Sequence, residues 1–313
     1  MKRQPRTKLE HRHVAGNLDL AHILVPTDFS PNADHALRRA VALAHKCGGR
    51  ITVLHVIELP TLPNELGVTG VDSAQLCELA GQTLSKLARA HVPGKLLETT
   101  LVRVGRAHEE TTRTARRMKA GLIVVGTAGR AGLERALLGS TAERIVRHAP
   151  CPVLVVRRAP GGKSSSLRTE TSFAIKHILV PVDFSAPSRK LVRYAADFAA
   201  RFRAALVLLH VVQHFNVPTR LAYAATRLQM TVLHDGIQQL ADWSRRAVPR
   251  EVAADQLVRA GTPPEVIQRV AREQQSDLIM VATRGQTGLK RFLPGSTAER
   301  VVRQSSCPVL VVR

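Results

Sequence analysis

Two glycines and a Gly-Ser-Thr triplet follow an apolar run near the middle of the chain, and their types suit the binding of phosphate. Gly126 and Gly129 come after the run 121–125, which is typical of a buried strand. Glycines leave their backbone amides open to an anion. The triplet 139–141 then opens a segment with helical apolar spacing. Because a helix N-terminus favours negative charge, loop and helix are predicted to hold one polyphosphate between them.

The glycine spacing excludes two commoner phosphate-binding motifs. No Gly-Lys-Ser or Gly-Lys-Thr closes the loop, and the pattern is not the Gly-x-Gly-x-x-Gly of dinucleotide-binding folds. Two glycines after a strand are also typical of a plain tight turn. A second copy of the pattern elsewhere in the chain favours the phosphate interpretation over the turn.

The second half of the chain repeats the first. The segment 22–30, His-Ile-Leu-Val-Pro-Thr-Asp-Phe-Ser, returns at 177–185 with Val in place of Thr. Gly-Ser-Thr-Ala-Glu-Arg at 139–144 returns at 295–300, and Cys-Pro-Val-Leu-Val-Val-Arg at 151–157 returns at 307–313. Solenoid repeats are far shorter, so this period indicates duplicated whole domains. With 313 residues, of which 44% are hydrophobic, the chain is long enough for two cores.

The order of apolar runs predicts an α/β fold in both halves. We expect a flexible basic tail over 1–20, domains over 21–158 and 175–313, and a linker rich in Gly and Ser over 159–174. Helices are predicted over about 31–46, 72–91, 107–119 and from 140, and over 221–247 in the second half. The second-half strands are predicted to begin near 178, 206, 256, 278 and 309. Alternating strands and helices require crossover connections, hence a mainly parallel sheet with helices on both faces.

Charge and cysteine usage limit the classes of function. The net charge of +22 attracts polyanions, but the basic residues are spread over both halves and only 3% of residues are aromatic. Nucleic acid is therefore a disfavoured partner.

The cysteines at 47, 77, 151 and 307 lack metal-ligand spacing and predict free thiols in a reducing compartment. No apolar run reaches membrane-spanning length and no secretion signal is evident, so we expect a cytoplasmic protein without a membrane partner.

In combination and in duplicate, these motifs resemble the universal stress proteins, in the tandem form with two such domains. The resemblance rests on Pro-Thr/Val-Asp-Phe-Ser, on Leu-His-Val in the second strand, on Gly-x-x-Gly-x9-Gly-Ser and on the closing Cys-Pro-Val-Leu-Val-Val. It implies two open five-stranded sheets of order 3-2-1-4-5, as in adenine nucleotide alpha hydrolase-like and other Rossmann-like folds. Ligands bind such sheets outside the point where the strand order reverses, between strands one and four.

Members of the family with this glycine pattern bind ATP, and the resemblance therefore implies ATP as ligand, with Mg²⁺ accompanying the phosphates. It implies that Asp28 accepts hydrogen bonds from the ribose and that the backbone of Ile51 flanks the adenine. For Asp28, a carboxylate that only caps its turn is the competing interpretation. The predicted site comprises Pro26, Thr27, Asp28, Ile51, Val125, Gly126, Gly129, Gly139, Ser140, Thr141, Asp183, Leu206, Gly285, Gly295, Ser296 and Thr297.

No set of residues with the spacing of a catalytic constellation accompanies the site. We therefore expect a nucleotide-dependent regulatory or stress-response protein rather than an enzyme, with at most slow ATP hydrolysis. A nucleotide-independent scaffold or chaperone-like protein with an unknown protein partner is the alternative, and a genuine ATPase is a third.

Two differences between the halves lead to further predictions. Ala282 stands where the first half has Gly126, and Pro294 removes an amide beside the second loop, whereas Arg284 adds a cation. We expect the second site to bind nucleotide more weakly, because a methyl group at 282 would crowd the ribose or forbid a positive φ.

The last strands, 153–156 and 309–312, are apolar and would be aggregation-prone as free edges. We expect them to pair, giving an intramolecular pseudo-dimer, with a homodimer of the whole chain as a further possibility.

Overall fold

The computed structural model describes residues 18–59, 73–127, 138–157, 174–213, 222–282 and 296–313. Most of the predicted tail, nearly all of the predicted linker, and the loop glycines 129, 285 and 295 lie outside these residues.

Strands and helices alternate through both halves, as the apolar patterns predict. The first half contains β1 (His22–Thr27), α1 (Pro31–Cys47), β2 (Arg50–Ile57), α2 (Ser73–His91), β3 (Leu97–Val104), α3 (Ala107–Arg117), β4 (Leu122–Gly126), α4 (Ser140–His148) and β5 (Val153–Val156). The second half contains β6 (His177–Val182), α5 (Ala186–Phe202), β7 (Ala205–Val212), α6 (Ala222–Ala247), β8 (Ala254–Ala260), α7 (Pro263–Glu273), β9 (Leu278–Ala282), α8 (Thr297–Gln304) and β10 (Val309–Val312). Only boundaries differ from prediction: β8 starts before Gln256, and α3 ends before Lys119.

Local sequence explains where the first helix begins and ends. The Ser30 hydroxyl accepts a hydrogen bond from the amide of Ala33 at 3.2 Å, and Pro31 occupies the first turn, where its missing N–H costs nothing. Gly48 closes the helix with φ 68°, a conformation that glycine adopts without steric cost. The helix is thereby held directly after the end of β1.

The strands of the described residues form one ten-stranded sheet in the order β3-β2-β1-β4-β5-β10-β9-β6-β7-β8. Each half has the order 3-2-1-4-5 with parallel neighbours, as the resemblance implies. The halves meet where β5 and β10 pair antiparallel, with Val155 opposite Val309. The two apolar last strands thus cover each other, as predicted from their sequences.

Helices cover both faces of the sheet. On β1, Ile23 and Val25 join the core that packs against α1, α2, α5 and α6, whereas Leu24 joins the core under α3, α4, α7 and α8. This alternation follows from the two-residue period of a strand. Among the described residues, none of the helices combines the length and apolar character needed to cross a membrane.

Two arginines at the ends of the central strands reach across the junction in opposite directions. Arg157 follows β5 and donates to the carbonyl of Arg303 near the end of α8, at 2.6 Å. Arg313 follows β10 and donates to the carbonyls of Val146 and Arg147 near the end of α4. Each half therefore caps the C-terminal turn of a helix in the other half.

Candidate functional site

A crevice begins at the carboxyl ends of β1 and β4. The two strands are paired at Ile23–Leu122 and Leu24–Ile123, and within the described residues their register continues no further. Their neighbours lie on opposite sides, β2 beyond β1 and β5 beyond β4. This is the point where the strand order reverses, and it is where open α/β sheets bind ligands.

Asp28 lies in the turn that leaves β1. Its Oδ1 accepts a hydrogen bond from the Ser30 amide at 3.0 Å, so the turn-capping role considered for this residue is present. The Thr27 hydroxyl is buried and accepts from the Phe29 amide at 3.0 Å. Thr27 therefore shapes the turn through its side chain. Asp28 is only half-buried.

The turn holds one residue in an unfavourable conformation. Phe29 has φ 63°, which costs a residue with a side chain on the order of 1 kcal/mol. Its ring lies 4.4 Å from the ring of His55, centroid to centroid, and the Nδ1 atom of His55 lies 2.8 Å from the Thr27 carbonyl oxygen. His55 is thus hydrogen-bonded and half-buried, and it stabilises the turn.

Gly126 ends β4 against the first turn of α1. A β-carbon at this position would lie 2.8 Å from the carbonyl oxygen of Asn32, closer than real contacts allow. Gly126 is absent from the residues with positive φ. The close approach of the Asn32 backbone therefore explains why position 126 is a glycine. A positive φ, the other reason that the sequence suggests, does not apply.

The N-terminus of α4 is tied to the end of β4. The amide of Gly139 donates to the carbonyl of Thr127 at 2.5 Å, and the amide of Thr127 donates to the carbonyl of Val156 at 3.0 Å. Gly139 is the N-cap and has no side chain with which to cap the helix, while Ser140 and Thr141 are exposed. The first-turn amides have no partner inside the helix and are available to an anion.

Ile51 and Leu206 were wrongly assigned to the site. Ile51 pairs with Ile23 near the amino end of β1, whereas Thr27, beside the crevice, pairs with His55. The two pairs lie four positions apart along the strand, a distance of about 13 Å. Both side chains are fully buried, and Leu206 pairs with Ile178 in the corresponding place.

The residue of β2 that flanks the crevice is Val56, which sequence reasoning missed. It is half-buried and lies one position beyond the His55–Thr27 pair. The Leu-His-Val motif already contained it. Its counterpart in the second half is Val211.

The second half brings Asp183, Ala282 and Ser296 to equivalent places, with one difference at the helix start. There α8 begins one residue later in the repeat, so that Ser296 is the N-cap, and its hydroxyl accepts from the Glu299 amide at 3.2 Å. One of the amides that would face an anion is therefore already bonded. Thr297 is exposed at the same end of the helix.

Pro26 and Val125 support the site from within the strands. Val125 is 3% exposed and Pro26 is half-buried. The side chain of Val125 belongs to the core, so any contact of this residue with a ligand would have to come from its backbone.

Three of the four cysteines, Cys47, Cys151 and Cys307, lie in or against the core. Burial raises the pKa of Cys151 to about 12 and also raises the pKa of Cys47 and of Cys307. Such thiols remain protonated and unreactive near neutral pH. The described part of the chain holds no group of three or more His, Cys, Asp or Glu side chains that would bind a metal ion.

A cleft of about 630 Å³, lined by polar and charged residues, lies beside α3 and the end of α4. Its lining residues are His108, Glu109, Thr112, Arg113, Arg116, Arg117 and His148. None of them belongs to the predicted nucleotide site. Basic residues in the last turn of a helix complement its dipole without a ligand, and this suffices to explain Arg116 and Arg117.

Comparison with known proteins identifies the family. The model described as "Universal stress protein family" matches residues 20–157 and 174–313. A universal stress protein of Mycobacterium tuberculosis is 28% identical over 312 residues, which cover 96% of this chain and 98% of that protein. One from Methanocaldococcus jannaschii is 36% identical over 140 residues, or 44% of this chain and 81% of that protein.

The solved structure of a universal stress protein from Archaeoglobus fulgidus has the same fold. It aligns with a TM-score of 0.63 at 21% identity, over 94% of this chain and 98% of that chain. The two segments matched by the family model take up most of the sequence, one in each half. The chain therefore belongs to the universal stress protein family, with a tandem pair of its domains.

Proposed function

We propose that the chain binds ATP in the crevice between β1 and β4 and acts as a nucleotide-dependent regulatory protein in a stress response. One observation carries the proposal. The half-buried carboxylate of Asp28 and the uncapped N-terminus of α4 lie at the carboxyl ends of adjacent strands. A carboxylate suits the hydroxyls of a ribose, and a helix N-terminus suits phosphates.

Each residue has a defined task in the proposed complex. Asp28 accepts hydrogen bonds from the ribose, and the amides at the start of α4 bind the phosphates together with the hydroxyls of Ser140 and Thr141. The backbone of Val56, rather than that of Ile51, flanks the adenine. Mg²⁺ would neutralise phosphate charge and take its ligands largely from phosphates and water, which is its usual mode of binding.

We propose binding rather than turnover as the function. Hydrolysis needs a base to orient water and cations to stabilise the transferred phosphoryl group. Among the described residues of the crevice, Asp28 is a carboxylate already bonded to its own turn. ATP hydrolysis is therefore expected to be slow, and occupancy of the site to be the signal.

The assembly and location belong to the same proposal. With β5 paired to β10, the two halves act as a pseudo-dimer within one chain. The four free cysteines, all among the described residues, suit a reducing, cytoplasmic compartment.

Mass spectrometry of the nucleotide released from freshly purified, denatured protein tests the ligand. We expect ATP, in an amount that falls in the Gly139→Val variant. Gly139 has φ −61° and ψ 144°, which valine adopts readily, so the fold should persist while the new side chain occupies the phosphate space. Circular dichroism checks the fold. Full retention of bound nucleotide in the folded variant would contradict the proposal, and no nucleotide in either protein would favour a scaffold role.

A further inference from the structure

The cleft beside α3 and the end of α4 is a basic concavity that the proposed nucleotide site does not use. Three arginines, two histidines and Thr112 line it, and Glu109 is the only carboxylate among its described lining residues. With both histidines neutral, three arginines against one glutamate give the lining a net charge of +2. The volume of about 630 Å³ is typical of pockets that hold small organic ligands.

Two of the arginines have no carboxylate to neutralise them. Arg113 donates to Glu110 at 2.5 Å, one turn earlier on the same helix. Arg116 and Arg117 are exposed, and among the described residues neither guanidinium group forms an ion pair. The dipole of α3 explains basic residues in its last turn, but it does not require that they share a concave surface with histidines.

The histidines bring side chains of two helices to the cleft. His108 lies in the first turn of α3 and His148 ends α4, and their ring centroids are 6.4 Å apart. The side chain of His108 is 16% exposed, and its Nε2 lies 3.9 Å from Oε1 of Glu109. An imidazole N–H can donate a hydrogen bond to an anion. An anion in the cleft would therefore meet donors from both helices.

In the second half, the equivalent positions bond to each other. Thr112 and His148 correspond to Gln268 and Gln304. The side-chain amide of Gln268 donates to that of Gln304 at 2.8 Å and thereby joins α7 to α8. The polar groups at this place are thus satisfied within the protein, without a ligand.

The charges of the two halves differ in the same direction. Arg117 corresponds to Glu273, whose Oε1 lies 3.6 Å from Nε of Arg269. The four charged positions of the cleft become two glutamates and two arginines in the second half, Glu265, Arg269, Arg272 and Glu273. The shared fold therefore does not impose the excess of positive charge found in the first half.

We propose that the α3–α4 cleft binds a phosphorylated small molecule, whose phosphate is held by the guanidinium groups of Arg116 and Arg117. The two histidines donate hydrogen bonds to the same ligand. Guanidinium groups match phosphate oxygens with two parallel N–H donors, and the cleft leaves room for the rest of the molecule. This inference goes beyond the proposed ATP site and does not depend on it, because the two sets of residues have no member in common.

Inorganic pyrophosphate is the probe, and the ring signals of His108 and His148 are the readout. They are followed by NMR of the full chain carrying carbon-13-labelled histidine, at constant pH and ionic strength, and are assigned from His108→Gln and His148→Gln. We expect both signals to shift along a saturable curve, with a dissociation constant of about 1 mM or lower. Because these signals report on the cleft, pyrophosphate bound at the crevice does not obscure the result.

Arg116→Gln should weaken pyrophosphate binding about tenfold or more, because the phosphate loses a charged hydrogen-bond donor. Arg272→Gln is the matched control. It removes the same charge from an exposed arginine at the equivalent place of α7, and it should leave the titration of the two signals unchanged. Arg117→Glu, which copies Glu273, should abolish saturation. Thermal unfolding shows whether each variant is folded.

The inference is overturned if the two signals of the unmutated chain shift linearly without saturation, or do not shift. It is also overturned if Arg116→Gln weakens binding no more than Arg272→Gln does, because any attraction would then follow the net charge of the chain. Calorimetric titration of ATP tests the proposed function separately. ATP affinity should be unchanged in Arg116→Gln, and absence of ATP binding to the unmutated chain refutes the ATP site without bearing on the cleft.

Discussion

The backbone carbonyl of Asn32 explains why position 126 is a glycine, because a β-carbon there would lie only 2.8 Å from its oxygen. In the second half Ala282 takes the place of Gly126, so the end of β9 carries a methyl group where the end of β4 has no room for one.

We expect Gly126→Ala to destabilise the protein by about 1–3 kcal/mol, the usual cost of overpacking. A β-carbon would lie 2.8 Å from a backbone oxygen that can move only with the first turn of α1. Urea unfolding measures the change. Ala282→Gly is the matched control and should cost less than about 1 kcal/mol, from backbone entropy. Equal unfolding free energies for Gly126→Ala and the unmutated chain would contradict the packing explanation.

The buried thiol of Cys151 should make the stability of the protein depend on pH. Burial raises its pKa to about 12, from about 9 in the unfolded chain. The group binds its proton more tightly when folded, so its contribution is fully present below pH 9 and is lost between about pH 9 and 12. Unfolding free energies measured over this window should fall less steeply in Cys151→Ala than in the unmutated chain. Parallel pH profiles would show that the thiol ionises as easily in the folded protein.

Residue types predicted that Asp28 follows the end of β1 and that Gly139 lies at the start of α4, whereas their contact with a ligand stays a prediction. Ile51 was misplaced because an apolar run predicts burial of a strand but not which of its ends meets the crevice. The register Thr27–His55 supplies that information.

The helices α4 and α8 show how a shift of one residue in the position where a helix begins changes a binding site. Ser140 lies inside α4, whereas the equivalent Ser296 is the cap of α8 and bonds to the Glu299 amide. A phosphate at α8 must compete with that hydroxyl. This difference could not be predicted from the sequence, because both halves carry the same Gly-Ser-Thr triplet.

The arginines at the ends of β5 and β10 join elements of opposite halves, and burial lowers the pKa of Arg157. We expect Arg157→Ala and Arg313→Ala each to lower the unfolding free energy by about 1–3 kcal/mol, because helix-end carbonyls lose a charged donor. Denaturant unfolding of each variant measures the change in unfolding free energy.

The control for these variants is Arg259→Ala, whose exposed guanidinium bonds only to the neighbouring Val258 carbonyl among the contacts described. It should change stability by less than about 0.5 kcal/mol. If Arg259→Ala changes the unfolding free energy as much as Arg157→Ala and Arg313→Ala do, the contacts of Arg157 and Arg313 with the helix ends contribute nothing to stability.

At the scale of the whole molecule, the continuous sheet was predictable because the last strands are apolar edges that need partners. The arginine contacts were not, since nothing in the pattern Val-Leu-Val-Val-Arg says which helix end the arginine meets. The ten-stranded sheet carries both proposed sites at the carboxyl ends of its strands, one in each half. Their surroundings differ at Gly126 and Ala282 and at the two helix starts.

Titration of ATP with Mg²⁺ into the full chain tests the central claim most directly, using calorimetry on the unmutated protein and on Gly139→Val. The account predicts two unequal sites in the unmutated chain, with the tighter site lost in the variant and the weaker one retained. No binding at millimolar ATP, or two sites of equal affinity unaffected by Gly139→Val, would contradict it.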